Sequence, residues 1–148
     1  MVFRSGSQGA VGHFSSAVLL LGLDGGRALQ RGEKVDLRLV ILDSLGLHGP
    51  GSVVEDVVQF LLHRVCPEGT PRSHLQIGVA YAKGCQDDNV SCGAFAAYYA
   101  ARVISIFKEY QATTESWPPT MSHVQAIADA IVKEVKPVKV QEVKKQFR

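Results

Sequence analysis

The stretch KGCQDDNVSCGAF, residues 83–95, sets a polar loop directly against the start of an apolar run. Asp87, Asp88 and Asn89 are ordinary turn formers. From Gly93 to Phe107 nearly every position is Ala, Phe, Tyr, Val or Ile, with Arg102 and Ser105 the main exceptions. A run apolar on all sides predicts a central helix, covered around its circumference. Cys92 stands in its first turn, where the leading amides lack intrahelical partners and the positive end of the helix dipole favours a thiolate. Gly93 leaves space beside the sulfur, and Gln86 adds a side-chain amide six residues earlier. This pattern suits a nucleophilic thiol whose developing oxyanion meets the first-turn amides and Gln86. It also suits a cysteine that is simply a small apolar residue at a helix start.

Working back toward the N-terminus, Leu75–Tyr81 reads as a strand, after a Pro67–Ser73 break. Ser52-x-x-Glu55 has the form of a capping box, and Val54, Val57, Val58, Leu61 and Val65 follow at helical spacing. Leu37–Leu42 (LRLVIL) and His13–Leu23 (HFSSAVLLLGL) are apolar enough for strands buried on both faces, and they can pair across a flexible Asp24–Lys34 connection. Residues 1–12 are rich in Gly and Ser and read as a loose terminus. Working forward, Trp117-Pro118-Pro119 marks a turn. A last amphipathic helix is expected from Ser122, with a second capping pattern at Gln125, until Pro137 stops it. The expectation is one α+β domain over 13–136, a small mixed or antiparallel sheet packed on a central buried helix, with a basic tail over 137–148.

Two residues join Cys92 in a possible constellation. His13 stands at the mouth of one strand and Asp43 at the end of another. If these strands are neighbours, Asp43 can hold the imidazole of His13 while its other nitrogen serves the thiol, giving nucleophile, base and orienting acid. His48, His63, His74 and His123 show that histidine is not scarce, and a lone histidine near a strand is commonly structural.

Bulk properties narrow the classes. The 148 residues suffice for one core, and a net charge of +2 gives no ground for a nucleic-acid partner. From Lys133 onward six basic residues face two acids, so that segment is +4 and the rest −2. That is a pattern of solvated termini, or of a nuclear address. No apolar run approaches the roughly 18 residues of a bilayer span, so no membrane partner is expected. Three cysteines at non-framework, non-zinc spacings suggest reduced thiols, hence an intracellular location in cytoplasm or nucleus. No metal and no cofactor is expected: there is no dinucleotide or phosphate loop, and Asp87-Asp88-Asn89 lacks calcium-loop spacing.

Three pieces together resemble the ubiquitin-like-protein-specific cysteine proteases, the group that includes the SUMO and NEDD8 deconjugases. His13-Phe14 before an apolar strand is similar to that family's His-Trp. Ile41-Leu42-Asp43-Ser44-Leu45-Gly46 is similar to its strand ending in Asp-Ser-Leu. Gln86-x5-Cys92-Gly93-x-Phe95 is similar to its Gln-bearing loop and Cys-Gly pair at a helix start. The order His, Asp, Gln, Cys is the family's order. The resemblance implies a papain-like core in which Cys92 attacks, His13 takes and returns the proton, Asp43 orients it and Gln86 lines the oxyanion hole. Phe14 and Gly93 would contact the substrate. It implies a thiol protease or isopeptidase cleaving after the C-terminal glycine of a ubiquitin-like protein (SUMO-like first, NEDD8 or ubiquitin otherwise). YopJ-type acetyltransferases share the His–acid–Cys order, and a fold that grips a ubiquitin-like protein without cutting it is a third reading. Only twelve residues precede His13, so the family's upstream substrate-gripping lobe is expected to be missing, or the chain to be the C-terminal piece of a longer protein.

Overall fold

The sheet is built around one strand whose two faces are both covered. In the computed structural model, β3 (Val35–Asp43) carries Leu37, Leu39, Val40, Ile41 and Leu42 with no exposed surface. The structure describes residues 2–5, 13–22, 24–46, 49–86, 91–113 and 117–134, and for residues 2–5, 13 and 113 the backbone alone. Successive strand side chains point to opposite faces, so an uninterrupted apolar run must be covered on both. Leu37, Leu39 and Ile41 face one set of helices, and Val40 and Leu42 the other. Each such side chain, taken from water, contributes about 1.5–3 kcal/mol.

Four strands lie in the order β1-β2-β3-β4. β2 (His13–Leu20) runs antiparallel to β3, with Ser16 opposite Leu42 and Leu20 opposite Arg38. β4 (Leu75–Lys83) runs parallel to β3 from Val35↔Leu75 to Asp43↔Lys83. β1 (Val2–Ser5) pairs antiparallel with the first half of β2, which puts a strand inside the stretch read as a loose terminus. The sheet is therefore mixed and the class α+β.

Parallel neighbours need a crossover, and α2 (Pro50–Phe60) supplies it, extended by a π-helical turn over Leu61–Val65. Val53, Val57, Val58 and Leu61 bury against one face of the sheet, beside Leu29 of α1 (Gly25–Gln30). The opposite face carries α3 (Cys92–Thr113) and α4 (Met121–Glu134) through Phe95, Tyr99, Val103, Phe107, Val124, Ala128 and Ile131. The result is helix, sheet, helix in three layers.

Several local expectations change. Asp24–Lys34 is not a plain connection, because α1 forms inside it. Its end is a Schellman motif: Glu33 N–H donates to Ala28 C=O (3.0 Å) and Gly32 N–H to Leu29 C=O (3.1 Å), with Gly32 at φ +71°. The capping box at Ser52 does not form. Pro50, with its fixed φ and no N–H to satisfy, occupies the first turn, and Ser52 Oγ donates to Gly49 C=O. Glu55 instead binds Arg72 through two hydrogen bonds, 2.9 and 2.6 Å. The capping pattern at Ser122 also fails, because Thr120 takes that role: its Oγ1 accepts the His123 N–H and its C=O the Val124 N–H. Gln125 is used elsewhere. Its side-chain amide accepts from Tyr81 N–H (3.2 Å) and donates to Tyr81 C=O (2.8 Å), closing part of the outer edge of β4. The expected stop at Pro137 lies outside the described residues.

The largest correction concerns α3. It is not covered on all sides, since Ala101, Ile104, Ser105 and Lys108 are exposed, Ile104 to 53%. Its outward positions are rich in alanine, which counts as apolar but costs little to leave in water. The helix lies on one face of the sheet rather than at the centre of the molecule.

Candidate functional site

The two strands that carry the candidate acid and base are neighbours. Extending the β2–β3 register by one pair beyond Ser16↔Leu42 sets Ser15 opposite Asp43. His13 then lies two residues further along, about 7 Å of strand. Its backbone pairs with Ser5. The imidazole itself is outside the described residues.

Asp43 is fully buried where β3 ends. Its Oδ1 accepts the backbone N–H groups of Leu45 (3.1 Å) and Gly46 (3.0 Å), so the carboxylate organises the turn that leaves the strand. Gly46 sits there at φ +68°, a conformation that favours glycine, with the Lys83 side chain packed over it.

The chain leaving β4 is fastened to this same corner. Gly84 N–H donates to Asp43 C=O (2.7 Å) and Gln86 N–H to Ser44 C=O (3.1 Å). Ser44 Oγ donates to Gln86 Oε1, and both residues are buried. Gln86, read from sequence as an oxyanion donor, is thus held against the residue that follows Asp43. Tyr99, from the second turn of α3 onward, closes the corner from below: a Cβ on Gly84 would lie 2.1 Å from its Oη and 2.9 Å from Ser44 Cα. Glycine at 84 is what lets the loop and the ring approach. The Tyr99 hydroxyl is buried without a hydrogen-bond partner among the described residues. Burial pushes its pKa up, and the Cys85 thiol and Asp43 carboxylate add to the rise.

Cys92 opens α3, with Ser91 C=O accepting the Phe95 N–H (3.0 Å) as the first helical bond. Ser91 and Cys92 are both buried, Cys92 to 6% exposure, while Gly93 is exposed. Phe14 lies across this first turn, its Cδ2 3.8 Å from where a Gly93 Cβ would be. An alanine at 93 would make only ordinary contact with the ring, so Gly93 is not demanded by Phe14. The other thiols sit in different surroundings: Cys85 is exposed, and Cys66 is half-buried on the α2 side, where burial pushes its pKa up.

Taken together, the buried polar residues among those described are Ser15, Ser16, Asp43, Ser44, Gln86 and Ser91. All belong to one end of the sheet: the start of β2, the end of β3, the exit of β4 and the entry to α3. Of the residues singled out from sequence, Asp43 and Gln86 meet here through Ser44 and Gly84, which with Tyr99 the sequence reading did not single out. The adjacent serines in an otherwise apolar strand, Ser15-Ser16, were a visible signal for this polar end.

The groups gathered at this end of the sheet are a thiol in the first turn of a helix, a fixed carboxamide and a buried carboxylate. Among the described residues no three His, Cys, Asp or Glu side chains gather as a metal site, and no helix is long and apolar enough to cross a membrane. No family model matches the chain, and comparison with known proteins and with solved structures gives no match.

Proposed function

We propose that this protein is a thiol protease or isopeptidase with a papain-like core, cutting after the C-terminal glycine of a ubiquitin-like modifier, SUMO-like in the first instance. The observation that carries this reading is the gathering of buried polar side chains at the end of the sheet where Cys92 opens α3. Buried polar groups cost stability unless they are paired, so their confinement to one corner argues for a chemical task there. The chain order adds support. A strand led by His13 is antiparallel to one ending in Asp43, which is parallel to the strand that delivers Gln86, and the Cys92 helix follows.

In this reading His13 removes the Cys92 proton, and the thiolate attacks the glycine carbonyl carbon. The carbonyl π electrons move onto oxygen, where the first-turn amides of α3 and the Gln86 carboxamide stabilise the charge. Collapse breaks the C–N bond, and the imidazolium protonates the departing amine. Water, deprotonated by His13, then attacks the thioester; the modifier leaves as a free carboxylic acid and the thiol is restored. Asp43 orients the imidazole throughout. Gly93, exposed beside Phe14 and next in sequence to the buried Cys92, would be where a slim Gly-Gly tail approaches.

The test is release of fluorophore from C-terminal aminocoumarin conjugates of SUMO, NEDD8 and ubiquitin. One conjugate should be cleaved by the wild type, with Cys92→Ala slower by at least about 10³-fold. A folded wild type that releases nothing from any of the three contradicts the reading.

A further inference from the structure

We infer, independently of the reaction proposed above, that the outer edge of β4 is an interaction surface for a second copy of this chain, paired strand to strand about a two-fold axis at Ile77. β4 stands last in the sheet order, with no strand beyond it among the described residues. The N–H and C=O of one strand residue point to the same side, and successive residues alternate sides. Both groups of Tyr81 are bonded outward, to the Gln125 carboxamide. Val79 and Ile77 therefore present theirs outward too, while Gln76, Gly78 and Ala80 turn to β3. This free stretch is closed at both ends. Gln125 covers Tyr81, and the Leu75 N–H is bonded back to Arg72 C=O in the 3₁₀ turn over Arg72–His74. Between them the open ladder groups among the described residues are the Leu75 C=O and both groups of Ile77 and Val79.

A row of open ladder groups is a template for another chain, and natural sheets usually blunt it with charge, proline or a bulge. None of residues 75–79 is charged and none is proline. The length of the stretch selects the occupant. An antiparallel copy of the same stretch, with Ile77 opposite its own counterpart and Leu75 opposite Val79, fits it without displacing Gln125 or the turn. The Ile77 N–H of each copy then meets the Ile77 C=O of the other, and the Val79 N–H meets the Leu75 C=O. Every outward N–H of the stretch is used, and the contact is isologous and closes on itself. On the α2 side it sets Ile77 against Ile77 and Leu75 against Val79, apolar cross-strand pairs of the kind that stabilise a sheet. That side has room for them. A groove of about 440 Å³ lies between α2 and the start of β4, lined by Val54, Val58, Arg72, Ser73, Leu75 and Ile77. Arg72 is neutralised there by Glu55, and Ile77 and Val79 are only half-buried.

The experiment is sedimentation velocity of the full chain from about 10 µM to 1 mM, the range suited to a small interface, with thermal melts to confirm folding. The wild type should show a concentration-dependent equilibrium between monomer and dimer. Ile77→Pro removes an outward N–H and leaves the ladder to β3 intact. It should weaken the dimer at least about 10-fold, because one hydrogen bond is lost from each copy. Ile77→Lys and Ile77→Glu each set like charges face to face across the axis, so each alone should be monomeric. Mixed one to one they should form the heterodimer, which tests the register at Ile77 and serves if the proline variant does not fold. A wild type that stays monomeric throughout leaves the edge to another occupant, residues 135–148 of the same chain or an unrelated peptide, and overturns the inference. Self-association that Ile77→Pro and Ile77→Lys leave unchanged, or charge variants that stay monomeric when mixed, overturns it as well.

Discussion

The two halves of the sheet solve opposite problems. At the Cys92 end the core contains Ser15, Ser16, Asp43, Ser44, Gln86 and Ser91, held by hydrogen bonds between the end of β3 and the exit of β4. Toward the other end the buried residues are Leu37, Leu39, Val40, Leu20, Val35 and Leu75, and ionic groups pair at the surface, as Arg72 does with Glu55 and Arg102 with Glu134. Apolar residues make up the rest of the buried core among the described residues, so the buried polar ones are concentrated at this one end. Their arrangement costs desolvation and is offset by pairing. The difference separates what makes the protein fold from what would make it react.

Substitutions placed on either side should separate in the same way. The largest stability effect belongs to the apolar half. Leu39→Ala, at a fully buried position facing α2, should lower the unfolding free energy by about 2–5 kcal/mol, with kcat per folded molecule unchanged. Denaturant melts beside an active-site titration measure both; a lost kcat at full folding would break the division.

A smaller effect, felt on both counts, is expected at the boundary. Gly84→Ala drives a methyl group onto Tyr99 Oη and should cost about 1–3 kcal/mol while disturbing the Gln86 loop. Tyr99→Phe removes a buried hydroxyl that has no partner among the described residues, so it should be neutral or slightly stabilising. In its background Gly84→Ala should cost less, with Ser44 Cα still near enough to prevent full relief. Strict additivity in thermal melts would mean that the ring does not shape the loop.

The smallest effect is at the exposed ion pair. Hydrogen bonds from Arg72, with help from Gln59, lower the Glu55 pKa from 4.5 to about 2. A depressed carboxylate pKa stabilises the fold above the unfolded value, and that support disappears as pH falls through the folded one. Arg72→Ala should therefore be slightly less stable than wild type above pH 4.5, and the gap should close toward pH 2. Both groups are exposed, so 0.5 M salt should shrink the gap at neutral pH as well. A gap that widens as pH falls would contradict the pairing.

Much of the fold was legible because its strands are unambiguous. LRLVIL has no outward polar alternation beyond Arg38, and such a strand can only be covered on both faces. What was lost turned on small residues. Gly25-Gly26 reads as a breaker and hid α1, although Gly32 two residues after Gln30 was a stop signal for a helix. The alanines of α3 inflated its apparent hydrophobicity and concealed an outer face. Both capping patterns were genuine by spacing, but Pro50 and Thr120 each stood two residues upstream as better starts. At the site, Asp43, Gln86 and Cys92 could be read from the chemistry of their neighbours. Ser44 and Tyr99 could not, because what they do depends on contacts from strand to loop and from helix to Gly84.

The most direct test is to treat the protein with SUMO, NEDD8 and ubiquitin propargylamide probes, measure intact mass, and map the modified cysteine. The account predicts one adduct, on buried Cys92, with a preferred modifier, lost in Cys92→Ala and slowed in Asp43→Asn. Labelling that falls on exposed Cys85 or on Cys66, or that survives Cys92→Ala, would show that the polar corner of the sheet does not activate its thiol.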